Sequence, residues 1–387
     1  MKVRFLLSLY VLSLLLFGCA QTRETAITPI PTSIQIDTVT PILVPSKTAT
    51  ITPTFTFTPQ PTPALAFLSV TNVVQIEQVN GFETTFHRFV WSPDTLTLLT
   101  IFRTQIKLID AYFLTTIWTK EIKEPNSPYM NSAYDGAFGL NGQQVVLAID
   151  GDLVFITTDT GVEIKRITCP ITFENFDVLD QIFVSYSPDG QSVAYGYTGH
   201  VRQVGTDAYT YIVNARETCD KKLLQRLDTP LYQLEFSPDG KYLMGDFSRL
   251  TFLWKTSDNQ QYATFKSINS SFNGDGSLLA TTNNGEIVLW NVDTLKPIGF
   301  YKSYGWTYAL NPDGKILATT EYAETSNANG WSIKLWNTKT GEVLKVIKDL
   351  PGTPSELRFS PDGRLLAGLF DGEDISTPNN FMIWGVK

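Results

Sequence analysis

The sequence predicts an all-β fold, a seven-bladed β-propeller, and three observations carry that reading. A turn of the form Ser/Asn-Pro-Asp-Gly recurs, most plainly at residues 187–190, 237–240, 311–314 and 360–363. Short segments alternating apolar and polar residues follow each turn. The turns are mostly 36 to 50 residues apart. Period-two segments bounded by such turns are strands with one face buried, and a repeat of this length is that of a four-stranded propeller blade. One such sheet cannot bury both its faces, so neighbours must stack around an axis.

The clearest copy is residues 311–347. Pro312 presets φ at one corner of its turn and Gly314 takes φ > 0 at the other. Ile316-Leu317-Ala318 opens a strand, Ile333-Lys334-Leu335-Trp336 is the third, and Glu342-Val343-Leu344-Lys345-Val346-Ile347 follows a second turn at residues 337–341. In the first copy Arg88-Phe89-Val90-Trp91 precedes Ser92-Pro93-Asp94. The second copy is eroded: Gly139-Leu140-Asn141-Gly142 replaces its turn, and Leu153-Val154-Phe155-Ile156 gives its third strand. The seventh stops after its third strand, at Trp384. Val73-Val74-Gln75-Ile76-Glu77-Gln78-Val79, upstream of the first copy, alternates properly. It is expected to complete the last blade as its outer strand, removing an open edge.

From residue 66 onward the chain resembles the WD-repeat family, as Leu335-Trp336-Asn337-Thr338-Lys339-Thr340-Gly341 shows best. The resemblance implies that the tryptophan ending each third strand packs between blades. Those positions are Trp254, Trp290, Trp336 and Trp384, with Ile109, Ile156 and Val213 as apolar substitutes. The family's Gly-His pair is absent from its place in the repeats, so the hydrogen-bonded tetrad it builds is not expected and packing must hold the blades rigid.

The start of the chain is of another kind. Lys2 and Arg4 precede an apolar run over residues 5–17, then Gly18-Cys19. This is the layout of a secretory signal, and the run is shorter than the ~20 residues a spanning helix needs. Leu16-Phe17-Gly18-Cys19 resembles the bacterial lipoprotein signal, which implies removal of residues 1–18 and lipidation of Cys19. Residues 19–65 then form the lipidated cysteine and a disordered stalk, because repeated Thr-Pro steps remove amide donors and favour extended backbone. Residues 66–387 form the propeller. The expected location is the extracytoplasmic face of a bacterial membrane, held by the lipid alone.

Composition narrows function by exclusion. The net charge is −8, and loss of Lys2 and Arg4 with the signal would make it −10. Without a basic run, nucleic acid is not an expected partner. Cys169 and Cys219 fall at opposite ends of their blades, too far apart to bridge. No Cys-x-x-Cys or His pair suggests a metal site, and no cofactor is expected. Histidine occurs only as His87 and His200, neither with a nucleophile motif beside it, and no P-loop or dinucleotide fingerprint is present. The recurring aspartates, Asp189, Asp239, Asp313 and Asp362, read as caps of their own turns, not as catalytic groups.

Loop length is the stronger signal. The segment between second and third strands is long at 197–209, 322–331 and 371–380, and two inter-blade connections, 124–130 and 170–176, are also long. All of these emerge on one face of a propeller, and loops on a rigid scaffold are where binding concentrates. Tyr197, Arg202, Tyr209, Tyr322 and Trp331 are anchors of the type enriched at interfaces. Glu321, Glu324, Asp371, Glu373 and Asp374 read as a solvated acidic rim in preference to a calcium site. The function expected is a monomeric, non-catalytic platform docking a protein or glycan of the cell envelope. Two alternatives stand beside it: a hydrolase or lyase using carboxylates that line the central funnel, and an envelope-assembly role from a looser resemblance to the periplasmic propeller of the Tol system.

Overall fold

The computed structural model describes residues 64–387 except 103, 123–134, 140–141, 150–151, 169–177, 202–204, 215–220, 326–327 and 373–376. Its strands form seven sheets of four, every neighbouring pair antiparallel. Six sheets use four consecutive strands, and the seventh runs Glu77–Thr84, Asn379–Gly385, Leu365–Asp371, Thr353–Phe359 from rim to axis. The seven-bladed propeller predicted by the repeats is therefore the fold. The signal, the stretch up to residue 63, and Cys19, Cys169 and Cys219 lie outside the described residues; Leu65, read as the end of the stalk, is buried with blade-one and blade-seven side chains.

Turn chemistry sets the local structure. Ser237 Oγ donates to Asp239 Oδ1 at 2.7 Å, that oxygen accepts the Lys241 N–H at 3.1 Å, and Ser237 Oγ accepts the Tyr242 N–H at 2.9 Å. The same arrangement recurs at Ser187/Asp189 and Ser360/Asp362, and with asparagine at Asn273/Asp275. The repeated aspartates are thus engaged in holding turns. Gly240 sits at φ 72°, where glycine is unstrained. In blade one the equivalent residue is Thr95, at φ 65°, whose hydroxyl reaches across to Asp362 Oδ2 at 3.3 Å.

The tryptophan positions behave as the resemblance implies, with one addition. Trp254 is buried among blade-three and blade-four side chains, and Trp384 among those of blades six and seven. Ile109 and Ile156 are buried in their stead in blades one and two. The Val213 side chain is outside the described set. Trp290 and Trp336 each donate the indole N–H to a threonine two residues beyond their cross-strand partner, Thr281 and Thr319, both at 2.9 Å. In blade four that place is Gly245, where a Cβ would come within 3.0 Å of the Trp254 ring. Half of a hydrogen-bonded network thus survives in two blades without any histidine.

Closure follows the expectation in kind but not in start. The outer strand of blade seven begins at Glu77, while Val73–Gln75 is a turn of 3-10 helix. The reason is spacing: Val73 and Ile76, both buried with Leu68 against blades six and seven, are three residues apart, which is one 3-10 turn and not a strand repeat. From Glu77 to Thr84 the strand pairs with Asn379–Gly385, with a bulge at Val79. Phe381 packs its ring edge-on against Phe82, Phe86 and Phe89, with centroids 5.6, 5.4 and 5.0 Å away.

One buried acid lies between blades four and five. Asp246 Oδ1 accepts from Thr251 Oγ1 at 2.5 Å and from Ser270 Oγ at 2.7 Å, and the two hydroxyl oxygens are themselves 2.6 Å apart. Two hydroxyl protons serve only two of these three contacts, and all three are served when the protonated carboxyl donates to one hydroxyl in place of accepting from it. Burial accordingly pushes the Asp246 carboxyl up to about 6, against about 3.9 in an unfolded chain. The folded state therefore holds the proton more tightly. Stability from this group is fully present below pH ~4 and lost as pH rises through ~6, a change on the order of 3 kcal/mol. Asp246→Asn should flatten that slope, so that urea midpoints of wild type and variant diverge as pH rises from 4 to 7.5, the variant faring relatively better at the upper end. Parallel curves would show that Asp246 ionises as freely in the fold as out of it.

Candidate functional site

The long segments of blades three and six are not loops. Ser192–Val201 and Gly205–Asn214 stay paired out to Val201 and Gly205, and Ile316–Thr325 and Ala328–Asn337 out to Thr325 and Ala328. Tyrosine and threonine are strand formers, and each hairpin continues its blade's ladder beyond the common rim. In blade seven the strands end at Asp371 and restart at Asn379, with residues 373–376 outside the description. The connections 124–130 and 170–176 are outside it as well.

This changes what the five anchor residues can do. Tyr197 and Tyr209 face each other across their hairpin and are only 1% and 8% exposed. They stack with Tyr195 and Tyr211 as a ladder packed on blade two. These tyrosines complete an inter-blade core, so neither is a free surface anchor. The cause is strand parity: Tyr197 lies four residues beyond the buried Val193 and shares its face. Arg202 and the His200 side chain are outside the description. Tyr322 and Trp331 also face each other, with ring centroids 5.3 Å apart, but Tyr322 is 48% exposed. Of the acidic set, Glu321 is ion-paired with Lys334 on the same hairpin, Asp371 is exposed, and the Glu324 side chain, Glu373 and Asp374 lie outside the description. Among the described residues no group of three metal-ligating side chains occurs.

Two anchors were missed. Residues 303–307, Ser-Tyr-Gly-Trp-Thr, connect blade five (Asn269–Phe272, Leu278–Asn283, Glu286–Asn291, Lys296–Lys302) to blade six, which begins at Tyr308–Leu310. The connection emerges on the face that carries the blade-six hairpin. Its exposure alternates, with Ser303, Gly305 and Thr307 buried and Tyr304 and Trp306 pointing out at 71% and 75% exposed. Trp306 is the sole exposed tryptophan of the chain's eight. The backbone beneath is pinned. Ser303 N–H donates to Gly285 O at 3.0 Å, Ser303 Oγ to Thr320 O at 2.9 Å, and Thr307 Oγ1 to Pro354 O at 3.2 Å. A Cβ on Gly305 would sit 1.8 Å from Thr320 O, so glycine there is what lets the segment lie flat on the blade-six strand. The sequence signal was a Tyr-Gly-Trp step outside any third strand.

Around the axis, the innermost strands carry a separate set of charged groups. Glu356 Oε1 is 2.6 Å from Arg358 Nε and its other oxygen accepts the Phe89 N–H at 3.3 Å. Glu235 accepts from Gln233 Nε2 at 2.7 Å. Buried Asp135 is 3.0 Å from Arg88 and accepts the Val184 and Gly136 N–H groups. Each of these carboxylates is engaged with a neighbour on its own or the next inner strand.

Repeat, turn and blade geometry together define a WD-repeat-like β-propeller. No family model matches the chain. The comparisons that do match agree on the architecture. Over 124 residues the chain is 35% identical to eukaryotic translation initiation factor 3 subunit I of Aspergillus terreus, covering 28% of this chain and 34% of that protein. Over 101 residues it is 37% identical to the Aspergillus oryzae subunit, covering 25% and 28%. The chain thus spans about a third of the length of the curated relatives it matches. Among solved structures, the β-propeller domain of Cps50 (Swd1) from Myceliophteria thermophila superposes with a TM-score of 0.59 at 10% identity, covering 80% of this chain and 99% of that one. That likeness is one of fold.

Proposed function

We propose that the protein is a lipid-anchored, extracytoplasmic docking platform that binds a partner of the cell envelope, protein or glycan, on the face bearing the blade-six hairpin. The observation that carries this is the pinned 303–307 segment, which holds Tyr304 and Trp306 outward on backbone that cannot yield. Exposed aromatics on a rigid support lose little freedom on binding, which is what makes an anchor effective. The relatives are a subunit of a translation initiation factor, and the engaged axial carboxylates favour docking over hydrolysis. Anchoring rests on the Leu16-Phe17-Gly18-Cys19 motif, and the Thr/Pro-rich stretch behind it would set the platform's reach.

The two halves of the proposal are tested separately. Cys19→Ala should move the protein from the membrane fraction to the soluble extracytoplasmic fraction and abolish incorporation of labelled palmitate; retention in the membrane with the cysteine gone would refute lipid anchoring. Docking is tested by cross-linking in the native envelope, comparing wild type with a Tyr304, Trp306, Tyr322, Trp331 alanine variant. The same captured species from both proteins would place the partner elsewhere.

A further inference from the structure

Between blades four and five, on the same face, lies a groove of about 620 Å³, and its chemistry points to a ligand class. Val288 and Trp290 line it together with the ring of Tyr304, and its polar groups are Asn283, Asn284, Glu286, Lys266 and Lys302. The volume is within the range of small-ligand sites, which combine apolar or aromatic surface with a few convergent polar groups. Tyr304 stands edge-free to solvent, its ring within contact of the Gly285 backbone (a Cβ there would lie 3.1 Å from it). The Trp290 indole N–H is already engaged by Thr281, so that ring offers its carbon surface. Among the described residues, neither Asn283 nor Asn284 has a hydrogen-bond partner for its carboxamide, and Glu286 and Lys302, opposite each other across the strands, form no ion pair. Donors and acceptors of both kinds are thus available, with two ammonium groups, Lys266 and Lys302, against the one Glu286 carboxylate.

We propose that this groove binds a saccharide, a pyranose face lying on Tyr304 with its hydroxyls taken by the Asn283 and Asn284 amides and by Glu286 and Lys302. A sugar ring presents C–H bonds on one face and hydroxyls around its edge, and this groove offers an aromatic surface with amide and charged groups at its margin. A cationic ligand would meet Lys266 and Lys302. The site is preorganised: Asn284 at φ 51° and Gly285 at φ 78° make the hairpin turn that Asn-Gly favours, fixing the amides relative to Tyr304. The assignment deepens the docking reading by naming what this part of the face takes.

The test uses the whole chain, titrated with cellobiose, chitobiose and maltose and followed by indole fluorescence, with Trp290 in the groove as reporter. Saturable binding of at least one disaccharide is expected. Tyr304→Ala should weaken it about tenfold or more, while Tyr304→Phe, which keeps the ring, should stay within about twofold of wild type. Asn284→Gly keeps the turn and removes one amide, and should weaken binding without moving the thermal midpoint. Absence of saturable binding with all three sugars, or binding indifferent to both Tyr304→Ala and Asn284→Gly, overturns the proposal. Envelope capture that depends on Tyr304 without any saccharide binding also overturns it, with a protein as occupant and the docking reading left standing. Saccharide binding without envelope capture sinks the docking reading and keeps the sugar site.

Discussion

A chain that begins at residue 85 should fail to unfold as a single cooperative unit, whereas one that begins at residue 64 should do so. The missing residues include the whole outer strand of the last blade, seven cross-strand pairs with Asn379–Gly385. They also include Leu65, Leu68, Val73 and Ile76, all at least 95% buried. At about 1.5–3 kcal/mol for each fully buried aliphatic side chain, those four alone are worth roughly 6–12 kcal/mol. Native domains have only about 5–15 kcal/mol in total. The uncovered strand Asn379–Gly385 would in addition present unpaired amides and carbonyls to other molecules. A gentler probe is Phe381→Ala, which leaves the ladder intact and empties the cluster of Phe82, Phe86 and Phe89; a loss of about 3–5 kcal/mol is expected. Urea unfolding followed by fluorescence and by far-UV circular dichroism checks both. A single transition at the longer chain's midpoint for the 85–387 protein would mean that the ring is held without its closing strand.

Loss of Trp306 should be the most damaging single change to partner capture that leaves the fold alone. At 75% exposure the indole contributes little to packing, so Trp306→Ala should leave the thermal midpoint near that of wild type. On the bound side a central tryptophan can carry about 2–4 kcal/mol, which is thirtyfold or more in affinity. Gly305→Ala provides the contrast. It keeps both aromatics, but its methyl group would meet Thr320 O at 1.8 Å, so the segment must lift from blade six. If rigid presentation matters, this variant loses capture with Tyr304 and Trp306 both still present. Undiminished capture by Trp306→Ala and Gly305→Ala together would remove the 303–307 segment from the docking site.

Much of the fold was legible because its causes are local. Turn chemistry is written in four consecutive residues, as at Ser237-Pro238-Asp239-Gly240, and strand alternation in six. Even closure could be read, since the copy that reaches Trp384 supplies three strands and the alternating stretch before the first copy offers a fourth. The start of that strand was misplaced because Val73 and Ile76 satisfy a loose apolar pattern, and only their burial against blades six and seven reveals a three-residue turn. The tryptophan positions were legible as packing residues, but the Thr281 and Thr319 acceptors were not, because a cross-strand neighbour depends on register.

The site was less legible, for a reason that separates two kinds of information. Sequence by itself determined how many blades there are, where each turns and how the ring is closed, since these follow from periods and turn residues along the chain. Which aromatics meet solvent was decided by tertiary structure. Tyr197 and Tyr322 occupy similar places in similar hairpins, yet one completes a core with blade two and the other is half in water. Tyr304 and Trp306 point outward because Gly305 lies against Thr320 of the next blade. Burial is a property of neighbours brought together by the ring, and no span of the chain short of a whole blade contains it.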